Sequence, residues 1–265
     1  MSDEPAFAIE ARGVSKRYLI GSGGHGARIR DRVGSRLGGQ DREPPPDAAS
    51  IWALRDVSFA VPPGKVLGVI GRNGSGKTTL MRILSRVTVP TEGSAIVRGR
   101  VGVLFQVGTG FHPELTGREN ISLSGTILGM SEDETRQVFD EIVDFAEVGN
   151  FLDTPVKHYS SGMYMRLAFS VSAHLRCEIM LIDEALAVGD LGFKEKSSAY
   201  IRSMVRSGRT VVLVTHGLTT IRDMCDQAIV LDGGRLVYDG DTDDAVDFYR
   251  DLAERSGSGI GAVAA

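Results

Sequence analysis

The chain has 265 residues, 42% hydrophobic and 24% charged, with a formal charge of -4, which is ordinary globular usage and argues against a fibrous, coiled-coil or wholly disordered chain. There is no basic excess to hold nucleic acid, and no run of about 18 apolar residues to span a bilayer. Two cysteines, Cys177 and Cys225, cannot build a disulfide framework, and the acidic start Met1-Ser2-Asp3-Glu4-Pro5 is unlike a signal peptide, so a reducing cytosol is expected.

Residues 6–14 (AFAIEARGV) alternate apolar and polar side chains, which predicts a half-buried strand. Residues 20–50 differ in kind, being glycine-rich, then proline-rich at 44–46, with Arg28, Arg30, Arg32, Arg36 and Arg42 between. That composition predicts a surface insertion, and its arginines leave open a seat near anionic lipid headgroups. A strand follows at 51–61, ended by Pro62-Pro63-Gly64. Residues 65–70 (KVLGVI) form a short unbroken apolar run, as in a strand covered on both faces of a parallel sheet. A glycine-rich turn and the helix-forming TTLMRILSRV come next. Residues 112–158 read as mostly helical, within a helical subdomain expected over about 107–175. Two further buried strands, 179–182 and 210–215, each follow a helical stretch, and this alternation predicts an α/β fold with a parallel sheet. AIVLDGGRLVYDG predicts a hairpin turning at Gly233-Gly234. The domain is expected to span 6–245, with a partly disordered tail over 246–265.

The turn after residue 70 reads Gly71-Arg72-Asn73-Gly74-Ser75-Gly76-Lys77-Thr78, which fits G-x-x-x-x-G-K-[ST] with a strand before and a helix after. Glycines let successive N–H groups curl around phosphate oxygens, and the helix that follows points its positive end at the same anion. Lys77 would supply a point charge to the β and γ phosphates, and the Thr78 hydroxyl could ligate Mg²⁺, a cation that prefers oxygen. Asn73, Ser75 and Thr79 complete the candidate nucleotide-binding set. Lys77 and Thr78 favour a nucleoside triphosphate over a dinucleotide.

Such a site needs a second metal anchor and a group that orients water. The strand Ile179–Ile182 ends in Asp183-Glu184, and successive strand side chains point opposite ways. Asp183 is then placed to reach the metal and Glu184 to polarise the attacking water. His216 stands just after the strand 210–215, at the edge where open α/β sheets bind ligands. Gln106 also ends an apolar run, where its amide could touch the metal or the water.

Tyr159-Ser160-Ser161-Gly162-Met163, followed by the helix-like YMRLAFSVSAHL, precedes the carboxylate strand. With it, residues 6–240 resemble the nucleotide-binding subunit of ABC transporters, whose signature motif sits in this place. The resemblance implies a P-loop NTPase core with an N-terminal antiparallel β subdomain and an inserted helical subdomain. It implies ATP and Mg²⁺ as ligands, Gln106 as the Q-loop glutamine and a metal ligand, and His216 as the switch histidine. Ala187-Val188-Gly189-Asp190 takes the place of the D-loop, and Tyr18 matches the aromatic that stacks on adenine, with Trp52 competing. Ser161 and Met163 depart from the common signature, while Ser160 and Gly162 keep it. The variant YSSGMYMRLAF, the stretch Gly110-Phe111-His112-Pro113-Glu114-Leu115-Thr116-Gly117-Arg118-Glu119-Asn120 and the insertion resemble the ATPases of lipid-linked polysaccharide exporters of O-antigen, teichoic acid or galactan type. Gln106 departs from the glutamate that many of them carry. Some relatives add a C-terminal glycan-binding domain, for which this chain is too short, so direct glycan recognition is not expected.

In that family one protomer supplies Gly71–Thr78, Gln106, Asp183, Glu184 and His216, and the other supplies Ser160 and Gly162. The resemblance therefore implies a homodimer enclosing two ATP, seated on a transmembrane permease at the cytoplasmic face of the membrane. It implies indirect contact with the lipid-linked glycan and none with nucleic acid. The alternatives are an ABC ATPase with another cargo and a soluble ABC ATPase. A GTP switch is disfavoured because no N-K-x-D motif occurs.

Overall fold

The computed structural model describes residues 7–20, 49–104, 108–183 and 191–255. Two sheets organise it. β1 (Ile9–Ile20) lies between β2 (Ala49–Val61) and β4 (Glu92–Val97) in an antiparallel three-stranded sheet. The second sheet has the order β5-β6-β7-β3-β8-β9. In it β5 (Val101–Val103), β6 (Ile179–Asp183), β7 (Thr210–Val214), β3 (Val66–Ile70) and β8 (Gln227–Asp232) run parallel, and β9 (Arg235–Gly240) returns antiparallel at the edge. The β8–β9 turn is the expected one: Gly233 and Gly234 both have positive φ, 52° and 80°, as a two-residue hairpin turn demands.

The unbroken apolar runs serve both faces of the parallel sheet, and the period of two decides which. Leu67, Val69, Ile179 and Leu181 face α1 (Lys77–Leu84) and the antiparallel sheet, in a core that includes Ile9, Leu54, Leu80 and Leu84. Val66, Met180, Ile182 and Leu213 face the other way, onto Phe169 of α4 (Ser161–Ala173) and Phe193 and Met204 of α5 (Leu191–Val205). Each large aliphatic side chain buried here contributes about 1.5–3 kcal/mol, so both layers are held firmly to the sheet.

The helical layer consists of α2 (Gly117–Ile127), α3 (Glu132–Ala146) and α4, around Ile121, Val138, Ile142, Leu167 and Val171. α2 and α3 both open with a capping box, Thr116 with Glu119 and Ser131 with Glu134. Glu134 does double duty, because Arg100, just before β5, donates to its Oε1 at 2.6 Å and to Gly129 O at 2.6 Å. This ties the helical layer to the sheet edge. The guanidinium and the Ser131 amide hold the Glu134 carboxyl down at about 2.

The stretch GFHPELTGREN is explained by Asn120. Its side chain is fully buried. Its Oδ1 accepts from His112 N at 2.6 Å, and its Nδ2 donates to the carbonyls of His112, Leu115 and Thr116 at 3.1, 2.9 and 2.9 Å. One amide thus satisfies a loop that carries no secondary structure of its own. Ser124 Oγ adds a bond to Thr109 O at 2.8 Å.

Two expected boundaries are corrected. The strands run into the supposed insertion, since Leu19 pairs with Ser50 and Tyr18 with Ile51; residues 21–48 lie outside the described residues. The supposed tail is helical through α7 (Thr242–Arg255). Its Ala245, Val246 and Ala253 are buried, and with Tyr249 and Leu252 they form a 3.6-period stripe against Ile70, Ala228 and Val230. The stripe escapes notice because charged residues fill the other positions of TDDAVDFYRDLAER. α6 (Leu218–Met224) packs beside it through Ile221. Among the described residues no helix is long and apolar enough to cross a membrane.

Asn120→Ala removes the acceptor of the His112 N–H and four loop contacts, although the three carbonyls keep backbone donors, so urea unfolding should register a loss of about 1–3 kcal/mol, while Thr116→Ala at the half-buried cap should cost about 1 kcal/mol. In a carboxyl-resolved NMR titration Glu134 should titrate near 2. Arg100→Met should move that midpoint upward toward the ordinary carboxylate range. Because the folded value is depressed, the stabilisation from this pair is present above the unfolded carboxylate pKa and fades as pH falls toward about 2.

Candidate nucleotide site

The order β6-β7-β3 places three motif-bearing strand ends side by side. Neighbouring strands lie about 4.8 Å apart, so the loops after them share one edge of the sheet. A cleft of 330 Å³ opens there, lined by Ala53, Asn73, Gly74, Gly76, Lys77, Thr78, Thr79, Asp183, Val214 and His216. Asp183 pairs directly with Val214 across β6 and β7, and His216 follows two residues later, with its side chain exposed. Thr215 turns the chain there, its Oγ1 accepting from Gly217 N at 2.8 Å.

Gly76 caps α1 in the left-handed region, φ 107°, and supplies no side-chain cap. A Cβ on it would sit 2.6 Å from Ala53 O and from a Leu54 methyl, so glycine is required twice over. The first-turn N–H groups of α1 therefore face the cleft without a competing side-chain acceptor, which is an anion seat. Lys77 is buried, 8% exposed. Its Nζ donates to Gly71 O at 2.5 Å and Arg72 O at 3.0 Å. Burial lowers its pKa, with the nearby Asp183 carboxylate opposing that shift. Ser75 is buried, and its Oγ has no hydrogen-bond partner among the described residues, a donor left over inside the phosphate turn.

The donor set fits a small hard cation. Thr78 Oγ1 and the Asp183 carboxylate line one cleft, and Mg²⁺ characteristically takes one or two protein oxygens and keeps waters and phosphate oxygens for the rest. A larger groove of 420 Å³ lies between α2 and α3. Its two cations are already committed, Arg118 to Asp153 and Arg136 to Glu132 and Asp133, so it offers an anion less.

Not every expected residue joins the cleft. Ser160 is the N-cap of α4, its Oγ accepting from Met163 N at 3.2 Å. Ser160 and Ser161 are exposed and Gly162 half-buried, on the helical layer and outside the cleft. Tyr18 and Trp52 sit on neighbouring strands and do not line the cleft either. The guanidiniums of Arg17 and Arg55 each lie 5.5 Å from the Trp52 ring centre, and Lys16 Nζ is 5.4 Å from that of Tyr18. Gln106, Glu184 and the 187–190 segment lie outside the described residues. Ala53 and Val214 join the cleft although no motif marks them. Ala53 reaches it because the register slips by one residue between Lys16–Leu54 and Arg17–Trp52, leaving it bulged; only the irregular alternation of IWALRD hints at this.

The sequence profile of the ABC transporter family matches residues 54–187, half of the chain. The chain belongs to the ABC transporter family. Among its relatives, the O-antigen export system ATP-binding protein RfbB of Myxococcus xanthus is 48% identical over 77% of this chain and 47% of its own length. The RfbB of Klebsiella pneumoniae is 40% identical over 75% of this chain and 80% of its own. The teichoic acids export ATP-binding protein TagH of Lactiplantibacillus plantarum is 41% identical over 78% and 57%. The chain thus spans about half the length of the Myxococcus relative and most of the Klebsiella one. In fold it is similar to the dimeric post-hydrolysis cassette MJ0796 bound to ADP and Pi, with a TM-score of 0.65, 23% identity, and 88% and 98% of the two chains covered. As a member of this family the chain is an ABC ATPase cassette.

Proposed function

We propose that the chain is the ATP-hydrolysing subunit of an exporter of lipid-linked polysaccharide, working as a homodimer with two ATP at its interface and a transmembrane permease at the cytoplasmic face of the membrane. One observation carries the dimer. The phosphate turn, Asp183 and His216 converge on one cleft, while the exposed N-terminus of α4, with Ser160, Ser161 and Gly162, belongs to another surface. Two copies facing each other would bring the second surface to the first cleft, and the dimeric state named for MJ0796 agrees with that. The cargo reading is supported by the O-antigen and teichoic acid export names of the relatives.

In this reading Gly71–Gly76 and Lys77 bind the phosphates, and Thr78, Asp183 and Gln106 hold Mg²⁺. The metal, when bound, neutralises charge on the β and γ oxygens. Tyr18 and Trp52 are the two candidates for the adenine face. Glu184 polarises a water that attacks the γ phosphorus; the bond from that phosphorus to the β-bridging oxygen breaks, and ADP and inorganic phosphate leave. His216 donates to the γ phosphate, and the α4 N-terminus of the second copy adds N–H groups and the Ser160 hydroxyl. Several negative charges then sit between two positive surfaces, so ATP holds the dimer together and hydrolysis loosens it. The loop fixed by Asn120 directly follows Gln106 and suits contact with the permease.

Glu184→Gln should keep ATP binding, lose turnover by about 100-fold or more, and elute as an ATP-dependent dimer in size-exclusion chromatography with light scattering; unchanged hydrolysis, or a monomer at saturating ATP, contradicts the reading. Lys77→Ala should weaken ATP binding at least about tenfold in calorimetry. Tight binding by that variant argues against its role.

A further inference from the structure

α5 starts soon after the carboxylate strand and carries Phe193, Lys196 and Tyr200 on one face, at helical spacing. All three meet the end of α3. The rings of Phe193 and Tyr200 stand edge-on to Phe145 at 5.6 and 5.2 Å. Lys196 Nζ lies 4.8 Å above the Phe145 ring. It donates to Phe145 O at 3.0 Å, Asp144 O at 3.5 Å and Glu147 Oε1 at 2.7 Å.

α3 closes its end with one cap bond of its own, Glu147 N donating to Val143 O at 3.0 Å, and its later carbonyls are met from elsewhere. Its last turn has no basic residue, and its C-cap is Glu147 in the left-handed region, φ 57°, where glycine is usual. The final carbonyls of a helix lack partners within it and form its negative pole. Lys196 supplies both the donor and the positive charge, from a different layer of the protein. Glu147 extends the connection, its Oε2 lying 3.6 Å from Arg166 Nη1 on α4, the helix whose N-cap is Ser160.

We propose that Lys196 is a positioning residue for the ATPase reaction: by clipping the C-terminus of α3 to α5, it sets the angle at which the Ser160–Gly162 turn is presented relative to the strand end bearing Asp183. This rests on the reading that the turn completes the facing copy's site. Magnitudes separate the role from simple adhesion. Phe145, Phe169 and Phe193 already hold the layers together through apolar contact, which is large and non-directional. The ion pair is partly exposed, 35% and 56% at its two side chains, and such pairs stabilise little. Hydrogen bonds are directional, so the clip fixes rotation more than it adds stability.

The test compares the full chain with Lys196→Met and Lys196→Arg in ATP turnover, ATP calorimetry, thermal melting and backbone hydrogen exchange. Lys196→Met should lower kcat about tenfold, with ATP affinity within about twofold and melting within about 4 °C of the parent. Lys196→Arg, which keeps charge and donors, should retain at least about half of kcat. Amides of 144–148 and 161–165 should exchange faster in the Met variant, while those of β3 and β7 stay unchanged. Unchanged turnover, or unchanged exchange at those two segments, overturns the proposal. So does a loss of turnover accompanied by equal losses of ATP affinity and melting temperature, which marks a structural role only. Should the parent chain form no ATP-dependent dimer, the functional reading falls, and the exchange data still decide whether Lys196 holds the two layers in register.

Discussion

Concentrated negative charge must be met inside a folded protein without leaving uncompensated charge when the ligand departs, and the structure is arranged around that constraint. Backbone N–H groups of the phosphate turn and α1 supply partial charges that cost nothing to keep in place. Among the described residues that line the cleft, the Lys77 ammonium is the full positive charge, and its burial works against its protonation. The carbonyls of Gly71 and Arg72 and the neighbouring Asp183 offset that penalty. Everything else in the α/β core serves to hold this arrangement rigid: β3 is central, fully buried along its length, and clamped by β7 and β8 in parallel register.

Topology turns motifs that are distant in sequence into neighbours. Lys77, Asp183 and His216 are far apart along the chain, yet β3, β7 and β6 are adjacent, and each hands its loop to the same edge. The helical layer packs on the sheet through Phe169 of α4 and is tied to the rest of the protein by directional contacts as well. Arg100 with Glu134 forms one junction and the Phe145 cluster with Lys196 another. Directional contacts of this type, added to apolar packing, suit a part that must hold a fixed angle.

Much of this was legible in the sequence because the signals were local. Unbroken apolar runs marked β3, β6 and β7, paired glycines marked the β8–β9 turn, and the phosphate turn announced itself between strand and helix. What stayed hidden depends on contacts between distant segments. Ala53 enters the cleft through a register slip that only pairing with β1 defines. By composition α7 reads as a tail, since charged residues dominate it, and its narrow apolar stripe gains meaning only against Ile70 and Val230. Asn120 looked like one letter of a family motif; its worth lies in four hydrogen bonds that close a loop. The Lys196 clip leaves no pattern at all, since a lysine on a helix reads as solvated surface until another helix end is found beneath it.

The bulge at Ala53 also separates two stretches of the β1–β2 ribbon. On one side Leu54, Val57 and Phe59 are anchored in the core; on the other, Leu19 and Ile51 are exposed. The cleft meets this ribbon at the bulge itself, through Ala53. A change in the length of the connection between Ile20 and Ala49 is thus felt first at Tyr18 and Trp52, the two aromatic candidates for the adenine face, and reaches the anchored core only across the bulge.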